Sequence, residues 1–170
     1  LKYVDDRARE MNALVFGDFA HDILKEFGKT VLESSECDIT DSKEVSRMLL
    51  GILKKKRVER FGENVLPAVT LQVEQLKPRL AAFAEKQAKW AGEGWQIKAV
   101  EEPASGDGIP WPIKDGDPVY IRGRIDRIDY NPKTNEWALL DYKTDAKGYS
   151  PDDKHRKRND WVDLQLPLYR

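Results

Sequence analysis

The chain has 170 residues, a formal net charge of −1 and a charged fraction of 35%. This length fits one domain with its own core. The near-neutral net charge excludes a protein that attracts nucleic acid through its overall charge, so a nucleic-acid partner would need a local basic surface. A lone cysteine, Cys37, excludes an internal disulfide and by itself cannot hold zinc or an iron–sulfur cluster, which predicts an intracellular, cytoplasmic protein. No apolar run approaches the ~20 residues of a membrane span, so we expect no membrane partner.

The first part of the chain, residues 1–94, has the periodicity of helices. Apolar residues recur at three- and four-residue steps in the segments 6–33, 42 to about 60, and 67–94. The first segment is expected to form either one helix or two helices joined near Gly17, and Pro78 is expected to kink the third. The sequence therefore predicts a helical N-terminal half.

The period changes to that of strands in residues 95–170. Segments 95–102, 118–130 and 136–144 read as strands, with a loop at 103–118 and a turn at 131–135 that makes the last two strands a hairpin. A long polar loop at 145–160 precedes a last helix that opens at Asp160. We predict one α/β (α+β) domain over 1–170, with a small, mostly antiparallel sheet flanked by helices. Because the chain begins at Leu1 without a Met, we expect it to be part of a longer protein.

Charged side chains in the hairpin form the candidate site. Alternation puts Asp141 and Lys143 on one strand face, and a turn near 133–134 brings Asp126 opposite residue 140 or 141. Two carboxylates this close need positive charge between them, from Lys143 or from a divalent cation such as Mg²⁺ or Mn²⁺. An isolated Asp-x-Lys is usually a surface ion pair, and Asp129, on the other face, is expected to support a turn or lie at the surface.

Three sequence stretches together resemble one family. "GRIDRIDYNPKTNEWALLDYKT", the later "QLPLY" and the upstream "GDFAH" resemble, in the same order, the motifs of the PD-(D/E)XK nuclease superfamily, and most closely its RecB/AddB-type exonuclease branch. The resemblance implies a restriction-endonuclease-like core with a small mixed sheet. Many members of that branch carry four cysteines around an iron–sulfur cluster, and we expect no such cluster from this chain because it has only Cys37.

The resemblance also implies a role for individual residues. Asp126 and Asp141 match the metal-binding carboxylates, with the carbonyl of Tyr142 as an extra ligand, and Lys143 matches the catalytic lysine. His21 matches the histidine that serves as a further metal ligand. The residues implied to position the substrate are Gln165 and Tyr169, to which we add Arg124, on the face of Asp126.

The function implied is Mg²⁺- or Mn²⁺-dependent hydrolysis of DNA in repair or recombination, beside or attached to a helicase. Local basic runs at 54–57 and 154–158 are candidate contacts to phosphates, although such runs are usually solvated surface. Glu101 or Glu102 is a further candidate to reach the site. Two alternatives remain open: a catalytically inactive module that binds DNA or a helicase, and a hydrolase of RNA.

Overall fold

The structure is a computed structural model that describes residues 10–34, 37–103, 109–111, 119–121, 124–144, 156–157 and 160–161. Three helices come first: α1 (Ala13–Glu33), α2 (Ser42–Phe61) and α3 (Pro67–Gly92). Seven strands follow in chain order: β1 (Gln96–Pro103), β2 (Ile109–Trp111), β3 (Val119–Ile121), β4 (Arg124–Asn131), β5 (Glu136–Leu140), β6 (Arg156–Lys157) and β7 (Asp160–Trp161). This order confirms the predicted α/β (α+β) fold with a helical N-terminal half.

Local signals explain where the helices begin and end. The side chain of Asn12 accepts a hydrogen bond from the Val15 backbone N–H at 2.9 Å, which caps α1, and Asp41 caps α2 in the same manner. Helix α3 starts with Pro67 at a position where a missing N–H costs nothing. Gly62 ends α2 with φ at 75°, a conformation that glycine adopts without strain.

The core lies between the three helices. Its fully buried side chains come from every helix, as the apolar stripes of the sequence predict. Strand β1 contributes Ile97, which joins the sheet to this core, and Gly28 of α1 packs directly against Val100, where an added Cβ would overlap the valine. The main buried residues are Phe19, Ile23, Phe27, Val45, Leu49, Leu53, Val69, Val73, Leu76 and Leu80.

The central sheet has the order β1-β4-β5, and every strand pair in the described part of the chain is antiparallel. In the predicted hairpin, Arg127 pairs with Leu140 and Tyr130 with Trp137. Asp126 is therefore one step beyond the last paired residue and comes beside Asp141, as the sequence predicted.

Several predicted boundaries differ from the structure. Strand β5 ends at Leu140 rather than at 144, whereas α1 is continuous through Gly17, which was one of the two predicted alternatives, and α3 continues through Pro78 as one helix. Strand β2 lies within the predicted loop 103–118. Asp160 and Trp161 form the short strand β7 paired with β6, so the predicted last helix does not begin there. No helix among the described residues is long and apolar enough to cross a membrane.

Candidate active site

One face of α1 lies across the ends of the three strands of the central sheet. Residues four apart on a helix share a face and are ~6 Å apart along its axis, close to the ~4.8 Å spacing of neighbouring strands. Successive turns of α1 therefore reach successive strands in sheet order. The contacts are Gly17 with Thr144 after β5, His21 with Asp126 on β4, and Lys25 with Glu101 on β1.

Asp126 is held from two directions. Its Oδ1 lies 3.5 Å from Nδ1 of His21, and its Oδ2 accepts a 2.7 Å hydrogen bond from the backbone N–H of Tyr142. Burial raises the pKa of Asp126, but these two partners and the charge of Lys143 outweigh burial and leave the pKa below its ordinary value. The same carboxylate raises the pKa of His21, against the effect of burial and with help from the Tyr142 backbone. The metal-free pair thus favours a carboxylate beside an imidazolium.

Asp141 and Lys143 form an ion pair just beyond β5. The Nζ atom of Lys143 lies 2.6 Å from Oδ2 of Asp141, and the two side chains are 40% and 23% exposed. These exposures leave the ammonium accessible to a ligand while the carboxylate is more covered. The sequence prediction that these two side chains share a face agrees with this geometry.

A single open cavity of about 830 Å³ joins these groups. Gly17 lets α1 approach its wall, since a Cβ there would lie 3.2 Å from the Thr144 hydroxyl. The size is in the range of ligand-binding clefts. Among the described residues its charged lining consists of Asp18, His21, Asp22, Lys25, Arg60, Glu101, Asp126, Asp141 and Lys143.

The donor groups in this cavity are chemically suited to a divalent cation. Carboxylate oxygens of Asp126 and Asp141 are ligands that suit Mg²⁺ or Mn²⁺, and the imidazole of His21 offers a nitrogen beside them. Within the described ranges, however, no three His, Cys, Asp or Glu side chains are gathered closely enough to form a ready metal site. In this arrangement His21 and Lys143 provide the positive charge that the two carboxylates require.

A buried ionic network supports the site from the opposite face of the sheet. Arg127 donates to both carboxylate oxygens of Asp129, at 2.7 and 2.5 Å, and both side chains are at most 1% exposed. The Nε1–H of Trp90 donates to the same carboxylate at 2.8 Å, and Arg127 also donates to Oε1 of Gln87 and to the hydroxyl of Tyr142. The prediction that Asp129 is a turn or surface residue is therefore wrong, because α3 covers this face.

Two further ion pairs line the cavity. Lys25 pairs with Glu101, whose backbone has φ at 50°, a strained value for a residue other than glycine. Arg60 of α2 pairs with Asp22 of α1 at 3.2 Å. The sequence had marked Glu101 as a candidate but missed Lys25 and Arg60. Lys25 was detectable in principle, because it follows His21 by one helical turn.

The structure thus brings His21, Asp126, Asp141, Tyr142 and Lys143 together. The remaining predicted site residues are not placed by it: the side chain of Arg124, and all of Gln165 and Tyr169, lie outside what the structure describes. The same holds for the second basic run, 154–158, apart from the backbone of 156–157.

Comparison with known families adds the chemical class. A family model described as the PD-(D/E)XK nuclease superfamily matches residues 1–170. The match spans both the helical half and the sheet, including the five residues that converge on the cavity. The chain belongs to the PD-(D/E)XK nuclease superfamily.

Proposed function

We propose that this protein is a divalent-metal-dependent deoxyribonuclease of the RecB/AddB-like exonuclease type. The observation that carries the proposal is the convergence of Asp126, Asp141, Lys143 and His21, from three different elements, on one cavity. Membership of the superfamily gives nuclease chemistry as the general class of reaction. The sequence motifs around these residues support the narrower branch.

Each residue has a distinct task in this proposal. Asp126 and Asp141 would hold a Mg²⁺ or Mn²⁺ ion, with the imidazole of His21 and the backbone carbonyl of Tyr142 as further ligands. Such an ion would lower the pKa of a water molecule and offset charge on the phosphate. Lys143, 2.6 Å from Asp141, would neutralise charge that develops on the phosphate oxygens during attack.

The wider setting follows from the same branch. We propose DNA as the substrate, a helicase subunit or domain as the partner, and the cytoplasm as the location. Gln165, Tyr169 and Arg124 would contact the DNA backbone. The domain would span residues 1–170.

Cleavage assays test this proposal directly. Purified protein should degrade linear single- or double-stranded DNA when Mn²⁺ or Mg²⁺ is present and should stop when a chelator is added. Asp126→Asn and Lys143→Ala should lower the rate by about 10²–10⁴-fold, the usual effect of removing a group that acts in the transition state. Equal cleavage of an RNA strand would move the substrate class from DNA to nucleic acid in general.

Lys77→Ala is the matched control, because Lys77 is an exposed lysine on α3 that pairs with Glu74 and does not line the cavity. It should cleave at the parent rate. Intact DNA after incubation of the parent protein with Mn²⁺ would contradict the proposal, and parent-like cleavage by Lys143→Ala would contradict the role of that lysine.

A second candidate is an inactive module that binds DNA or a helicase. The observation that favours it is that each carboxylate already has a partner, His21 for Asp126 and Lys143 for Asp141. Titration with Mn²⁺, followed by its electron paramagnetic resonance signal, separates the two. Binding that disappears in Asp126→Asn supports the nuclease, whereas no binding by the parent supports the module.

A further inference from the structure

A second cavity of about 410 Å³ adjoins the candidate active site. The two cavities share Tyr142, Lys143 and Thr144, so a ligand can extend from one into the other. The walls of the second cavity are α1, α3 and the segment after β5. We call this second cavity the α1–α3 groove.

The two cavities differ sharply in charge. The active-site cavity is lined by five carboxylates, which Lys25, Arg60, Lys143 and His21 partly offset. Among the described residues, the α1–α3 groove is lined by three cations, Arg79, Lys86 and Lys143, and by no carboxylate. A polyanion therefore meets favourable charge in the groove and needs a cation only where it enters the acidic cavity.

Arg79 has a defined position in the groove. One guanidinium N–H donates to the backbone carbonyl of Thr144 at 3.0 Å, and the guanidinium lies 5.4 Å from the ring centre of Phe16. The guanidinium carries further N–H donors that can bind a phosphate. Thr144 follows Asp141 by three residues and lines both cavities, so its contact with Arg79 holds the guanidinium at the junction of the two cavities.

The remaining lining suits the rest of a nucleotide. Lys86 follows Arg79 by two helical turns, about 10 Å along α3, so the two cations can meet different phosphates of one strand. Between them the partly exposed ring of Phe83 offers apolar surface for a sugar or a base, with the buried Leu80 beneath the groove. The groove thus presents cationic and apolar surface in turn, which complements the anionic phosphates and the apolar faces of the sugars and bases of a nucleic-acid strand.

We propose that the α1–α3 groove binds the sugar-phosphate backbone of the DNA strand next to the scissile phosphate, with Arg79 and Lys86 as phosphate-binding residues. This inference rests on the proposed nuclease function and deepens it by giving the path of the substrate. Neither residue belongs to the candidate catalytic set. Both side chains are exposed and lie outside the buried core, and Arg79→Lys keeps a cation at the position of Arg79.

Binding without cleavage tests the inference. A fluorescein-labelled single-stranded DNA of about 12 nucleotides is titrated in chelator, and anisotropy gives Kd at several salt concentrations. We expect Arg79→Ala combined with Lys86→Ala to raise Kd at least about tenfold and to reduce the slope of log K against log salt by about 1.4, since each phosphate contact on a single strand contributes about 0.7. Arg79→Lys should retain most of the affinity and the slope, and Lys77→Ala should leave both unchanged.

Each outcome is decisive. An unchanged slope in the double variant, or an equal loss in Lys77→Ala, overturns the groove as the phosphate path. A parent protein that does not bind the oligonucleotide overturns it as well. Cleavage with Mn²⁺ is measured separately. If the parent binds DNA through Arg79 and Lys86 but never cleaves it, the groove is supported and the proposed nuclease function is contradicted. If the parent cleaves DNA and the double variant binds DNA as tightly as the parent, the groove alone is contradicted.

Discussion

Replacing Asp129 with alanine is the most informative test of the network beneath the site. The carboxylate accepts three hydrogen bonds, two from the buried Arg127 and one from the half-buried Trp90. Its removal leaves a guanidinium, 1% exposed, without its counter-ion. Loss of one partner of a buried ion pair costs about 3–5 kcal/mol. The indole N–H of Trp90 also loses its acceptor, but this second cost does not add in full because both losses occur in one network. We expect the free energy of unfolding to fall by about 4 kcal/mol.

Urea unfolding followed by both tryptophan fluorescence and circular dichroism gives this free energy. The double variant Arg127→Leu with Asp129→Leu is the companion measurement, because replacing both charges with apolar groups is often close to neutral. It should recover most of the loss. A decrease below about 1 kcal/mol in Asp129→Ala, or a double variant as unstable as the single one, would refute the reasoning that charge burial causes the effect.

Three further outcomes follow from local geometry. Gly28→Ala should lower stability by about 1–3 kcal/mol in urea unfolding, because the added methyl meets Val100, and a parent-like midpoint would contradict this packing. Gly51→Ala, where an added Cβ meets nothing within 4 Å inside α2, should instead raise stability by about 0.5–1 kcal/mol. In chelator, NMR titration should place the pKa of His21 above 6.5, and Asp126→Asn should lower it. Because folding raises the pKa of His21, its pairing with Asp126 stabilises the fold fully at pH values below 6.5, and this stabilisation is lost as the pH rises through the pKa of the folded protein. A His21 pKa below 6.5 in the parent protein would contradict the pairing.

The sequence predicts best what depends on periodicity. Apolar spacing located the three helices that the structure describes. Strand alternation with the turn at 131–135 placed Asp126 opposite residue 140 or 141, and the observed pairing of Arg127 with Leu140 agrees with the second of these. It could not show which face of the sheet α3 covers, because alternation distinguishes two faces without saying which is buried. For that reason Asp129 was expected at the surface and its partner Arg127 was not considered.

The same limit applies to groups contributed by distant elements. Lys25, Arg60 and Arg79 belong to helices whose packing depends on the tertiary fold, so no local pattern connects them with the hairpin. At position 17 the sequence left open whether the first helix continues or divides into two. The close approach of Gly17 to Thr144 is revealed only by the packed structure.

The match between the turns of α1 and the strands of the sheet has a consequence for sequence change. Gly17, His21 and Lys25 each face a different strand because four residues advance the helix by nearly one strand width. Inserting one residue between Gly17 and Lys25 would rotate the residues on one side of the insertion by about 100° around the helix axis relative to those on the other side. The contacts of α1 with the three strands could then no longer form together, and no side-chain replacement would restore them. Deletions or insertions in this stretch should therefore be far less tolerated than in the exposed turn at 132–135, so the length of α1 is itself under constraint.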